Sequence, residues 1–92
     1  MLSPDQNGNG TQPEVVALQA LAWIVSDETR GERLLSLTGM GADQLRARAD
    51  DPAIWGAVLD FLAAHEPDLI ACADAIGLPP EALMQAAREI GR

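Results

Sequence analysis

The chain has 92 residues, 48% of them hydrophobic, which is enough for one apolar core and too few for two independent ones. Fourteen acids against six bases give a formal charge of −8 and a pI near 4.2, so a surface that tracks the phosphates of nucleic acid or anionic lipid is disfavoured. The bases are all arginine, and Cys72 is the single cysteine, which excludes an intramolecular disulfide and fits a reducing, cytoplasmic setting.

Residues 1–12 hold Pro4, Asn7, Gly8, Asn9 and Gly10 with almost nothing apolar, and are expected to be a disordered amino-terminal tail. They lack the basic start and apolar centre of a signal peptide. One helical domain is expected over 13–92. Thr11 or Gln12 is placed to cap its first helix, Pro13 suits the first turn, and Glu14 meets the positive end of the helix dipole. Val15, Leu18, Leu21, Ala22 and Val25 recur at helical spacing and predict the buried stripe, while Val16, Trp23 and Ile24 make a second apolar face. A helix apolar nearly all round belongs at the centre of a protein, and this run is only about half the length of a membrane span.

Asp27 and Thr29 are candidate caps for a second helix through Arg33, Leu34, Leu35 and Leu37, which stops at Gly39. From Gly41 a short third helix is expected to turn Leu45 and Ala49 inward and Arg46 and Arg48 outward. Asp51 caps and Pro52 opens a fourth, with Ile54, Val58, Phe61 and Leu62 on one stripe that Trp55 and Leu59 widen. Pro67 opens a fifth, with Leu69, Ile70, Ala73 and Ile76, ended by Gly77. Pro79, Pro80 and Glu81 start the last, whose Leu83, Ala87 and Ile90 face inward. No segment alternates apolar with polar, so the fold class is all-α, a compact bundle of five or six short helices.

The joint Gly39-Met40-Gly41-Ala42-Asp43-Gln44-Leu45 has an echo in Gly77-Leu78-Pro79-Pro80-Glu81-Ala82-Leu83, at an offset of 77 minus 39, or 38 residues. Sliding the chain by this amount lays Leu21 on Leu59, Trp23 on Phe61 and Ile24 on Leu62. One reading is a pair of similar three-helix units, each covering the apolar face of the other; chance matching in a chain rich in Ala and Leu is the other.

Chemistry-bearing patterns are sparse. His65 is the only histidine, with only Glu66, Asp68 and Asp60 near it in sequence, far from a zinc set, and a cation there fits the negative end of the preceding helix. No serine stands in a Gly-x-Ser-x-Gly setting, and Cys72 reads as a small core residue. No catalytic, cofactor-binding or metal-binding residue is assigned, and no enzyme is expected. Trp23, Trp55 and Phe61 supply the aromatic area and are the candidate partner contacts, with core packing as the alternative.

The run Leu37-Thr38-Gly39-Met40-Gly41 resembles the hairpin of the helix-hairpin-helix DNA-binding family, which implies a phosphate contact at Gly39, Gly41 and Arg46. Asp43 and Leu45 depart from that pattern, and the chain has no lysine. Over the whole ordered chain, Ala20-Leu21-Ala22-Trp23, Leu35-Ser36-Leu37-Thr38-Gly39, Leu45-Arg46-Ala47-Arg48-Ala49-Asp50-Asp51-Pro52, Val58-Leu59-Asp60-Phe61-Leu62 and Gly77-Leu78-Pro79-Pro80-Glu81 resemble a family of small helical bacterial proteins with no assigned function. The resemblance runs from about Pro13 to the end and implies a helical cytoplasmic protein without transferring any site residue. The leading expectation is a protein–protein interaction module, acting on an unknown protein partner or on itself as a homodimer. The alternative is a DNA-contacting hairpin module.

Overall fold

Helices start and stop here where side-chain chemistry allows it. The computed structural model describes residues 12–91 and contains six helices: α1 Pro13–Val25, α2 Glu28–Thr38, α3 Ala42–Ala47, α4 Pro52–Ala63, α5 Glu66–Ile76 and α6 Pro80–Ile90. The expected tail lies outside the described residues except for Gln12, as does Thr11 as a candidate cap. Gln12 is the N-cap of α1 and makes no side-chain capping bond. The carboxylate of Asp27 accepts from the backbone N–H of Arg30 at 3.0 Å, and that of Asp51 from Ala53 at 2.9 Å, so each acid satisfies a donor that the first turn leaves free. α5 begins at Glu66, one residue earlier than expected, with Pro67 in its first turn.

Two helices end on left-handed glycines. Gly39 has φ 73° and Gly77 φ 76°, and the chain reverses through hydrogen bonds from Gly39 N–H to Leu35 C=O (2.8 Å) and from Leu78 N–H to Ala73 C=O (2.9 Å). A Cβ at this φ costs about 1–2 kcal/mol, which is why glycine stands at both joints.

α1 is the centre of the assembly and packs on α4, α5 and α6 as well as on its neighbour α2. The core combines Val16, Ala17, Ala20 and Ile24 of α1 with Leu34, Ile54, Val58, Leu59, Phe61, Leu62, Cys72, Ala73, Leu83 and Ala86. The stripe expected on α1 is therefore corrected: Val15 and Val25 are exposed, Leu18 and Leu21 half-buried, and the buried face is the one that includes the small Ala17 and Ala20. Small side chains let the backbones of several helices approach α1 closely, whereas a Leu-rich stripe would hold them apart. Leu37 (74% exposed) and Ile70 (51%) also point outward. In α6 Ala86 is buried while Ala87 and Ile90 are half-buried.

The 38-residue offset matches the helices. α2 falls on α5 with both ends aligned, α1 falls on residues 51–63 against α4 at Pro52–Ala63, and α3 falls on residues 80–85, the first part of α6. The two units then differ. α6 runs on to Ile90 and packs on both α4 and α5, whereas α3 stops at Ala47 and makes no comparably extensive contact with another helix. No helix of the described residues is long and apolar enough to cross a membrane.

Candidate functional site

A second apolar face of α1, whose Leu21 packs against the edge of the core, is partly open. Leu18, Leu21, Ala22 and Val25 of α1, Gly31 and Leu35 of α2, and Leu45 and Ala49 in and after α3 line an open groove of about 520 Å³. Leu45 is the buried member of the set and fixes α3 to the rest of the protein, while Val25 is 52% exposed. Asp27, Glu28, Glu32 and Arg46 edge the groove. Asp27 is engaged in capping α2, and among the described residues neither Glu28 nor Glu32 has an ion-pair partner. Arg46 lies 3.5 Å from Asp43, both largely in solvent, and the rim keeps an excess of negative charge. The arrangement offers apolar area inside a carboxylate border, which suits a contact better than a reaction.

The aromatic candidates have structural roles. Phe61 is 6% exposed and belongs to the core; the Arg33 guanidinium lies 5.2 Å from its ring centre and donates to Asp68 at 2.8 Å. The Trp55 indole N–H donates to the Ala49 carbonyl at 2.6 Å, which ties the segment after α3 to α4. Trp23 is half-buried with the Arg30 guanidinium 3.7 Å from its ring centre, a cation–π stack. Its carbonyl accepts from Arg30 Nη2 at 3.3 Å and from the Ser26 hydroxyl at 2.6 Å, which closes the α1–α2 turn; Arg30 Nε is buried with no partner.

Gly39 and Gly41 separate as well. Gly39 ends α2, and the Gly41 N–H, the group a phosphate would need, donates to Gln44 Oε1 at 3.0 Å at the start of α3. Arg46 points outward from that helix, and Arg48 pairs with Asp51 at 2.8 Å. His65 is exposed between α4 and α5, at the N-cap of α5, without a side-chain capping bond and 3.9 Å from Asp68 Oδ2. No group of three potential metal ligands occurs among the described residues. Cys72 is fully buried, and burial pushes its thiol up to about 11, against a smaller opposing pull from Arg30.

Sequence reasoning had the groove residues in hand but placed them inside. The available signal was surplus: α1 has more apolar positions than one core face can take, and Asp51-Pro52 cuts the third helix short.

Fold and site together define a small all-helical protein with an open apolar groove between its first three helices. The chain belongs to the family described as protein of unknown function (DUF3572), which matches residues 10–91. No curated protein and no solved structure matches the chain.

Proposed function

We propose that this chain is a protein–protein interaction module without catalytic activity, and that the α1–α2–α3 groove is its contact surface. The observation behind this reading is the open apolar face Leu18, Leu21, Ala22 and Val25 on the helix that also forms the centre of the core. Desolvating such a face is worth about 25 cal/mol per Å², a gain the monomer leaves unrealised. A lone free thiol fits action in the cytoplasm. A homodimer through the same groove is the less favourable arrangement, because it brings together two chains of charge −8 along an acidic rim. A photo-crosslinking residue at position 25, expressed in the native cell, is expected to trap a protein, whereas the same residue at exposed Glu81 on α6 is not. Equal crosslinking from both positions, or none from position 25, would refute the assignment.

A further inference from the structure

We infer that the groove holds an amphipathic helix of another protein, flanked by basic residues and seated on α1 and α2 as α6 sits on α4 and α5. The inference rests on the groove being a contact surface and adds the class of its occupant. At the 38-residue offset Leu45 corresponds to Leu83, and both are buried, so α3 and α6 start alike. Farther along, Ile90 lies against Gly56, where a Cβ would meet Ile90 Cγ2 at 3.6 Å. The counterpart of Gly56 is Leu18, in the groove; the counterpart of Ile90 is Pro52, which has already turned away to open α4. In the second half Ile90 thus lies over the counterpart of Leu18, and the counterpart of Leu21, Leu59, is buried, whereas those of Ala22 and Val25, Asp60 and Ala63, are exposed.

Size and charge define the occupant further. From Leu18 to Val25 the groove follows α1 for seven residues, roughly 10 Å or two turns, a length read by apolar side chains at i, i+3 or i+4, and i+7. Asp27, Glu28 and Glu32 on the rim outnumber Arg46, so lysines or arginines beside those anchors find complementary charge. A second copy would set carboxylates against carboxylates. The chain's own first eleven residues offer only Met1 and Leu2 as apolar anchors, with Pro4, Gly8 and Gly10 opposing a helix.

The test uses the isotope-labelled full chain, titrated with a synthetic helix of leucines at i, i+3 and i+7 flanked by lysines. Saturable binding should shift the amides of Leu18, Val25, Leu35 and Leu45, and should weaken about tenfold both in Val25→Gln and in the double variant Glu28→Gln/Glu32→Gln. Equal binding of the same helix with glutamates for lysines would overturn the basic character of the occupant while leaving the groove as a contact surface. Groove amides that move with protein concentration alone would assign the site to a second copy, and groove amides that move on Leu2→Ser would assign it to the chain's own amino terminus; either overturns the inference. Shifts only outside the groove, or none with either helix, also overturn it, and the contact reading falls too only if position 25 yields no crosslink in the cell or no more than position 81.

Discussion

Cys72 is the one side chain expected to make stability fall on the alkaline side. It is fully buried, and desolvation raises its ionisation to about 11, with Arg30 opposing and Asp68 adding. In the unfolded chain a cysteine ionises at about 8.5, so above that pH the unfolded state binds fewer protons than the folded one and stability falls until about 11. Below that window the thiol is protonated in both states and contributes no slope. The chain has neither lysine nor tyrosine, so no other side chain titrates across it. Urea midpoints measured from pH 8.5 upward should decline in the wild type and stay level in Cys72→Ala, about whatever offset the lost sulfur leaves; parallel slopes would refute this account. At the acid end the sign reverses. Asp51 is held below its ordinary 3.8 by Arg48 and then by the Ala53 N–H, so its stabilisation is present above that value and lost as pH falls below it. Asp27 caps α2: Asp27→Ala should cost about 1 kcal/mol by freeing the Arg30 N–H, and Asp27→Asn much less, as chemical denaturation would register.

At the scale of elements, six helices were readable because Asp, Pro and Gly punctuate them. Asp27, Asp51, Pro52 and Pro80 open helices, Gly39 and Gly77 close them, and each does so through a local bond or a local φ that needs no tertiary context. The orientation of α1 was not readable. Two apolar faces, one with Leu18, Leu21 and Val25 and the other with Val16, Ala17, Ala20 and Ile24, satisfy the helical period equally, and the choice between them depends on how closely α4, α5 and α6 can approach. The groove was hidden for the same reason, since it exists only because the face with Leu18, Leu21 and Val25 is left out of the core centre and α3 ends early. Trp23, Trp55 and Phe61 attract attention by size, and within the fold they stack under Arg30, donate to the Ala49 carbonyl and pack in the core, respectively. Gly31 offers a test at this scale. A methyl group there would meet Val25 Cα at 3.6 Å, an ordinary contact, while the helix interior gains rigidity, so Gly31→Ala should stabilise the protein by about 0.5–1 kcal/mol. A loss of melting temperature would mean that α1 and α2 approach more tightly than this spacing allows.

Across the whole molecule, the two three-helix units do not form separate folding units, because α1 of the first half packs on all three helices of the second. Removing that helix would uncover the apolar faces of α4, α5 and α6 together, so unfolding in urea should be a single transition. α3 stands apart: six residues, one buried side chain in Leu45, and no extensive helix partner. Amide hydrogen exchange should therefore divide the chain, with α1 and α4 opening only on global unfolding and α3 opening at much lower free energy. Leu62→Ala, at a position with no exposed surface, should cost about 2–5 kcal/mol and lower the protection of α1 as much as that of α4, although the substitution lies in the second half. Exchange in α3 should scarcely change in that variant, because its opening does not pass through the core. Protection of α3 equal to that of α1 would show that α3 opens only with the core, and a Leu62→Ala effect confined to α4, α5 and α6 would show that the halves fold independently.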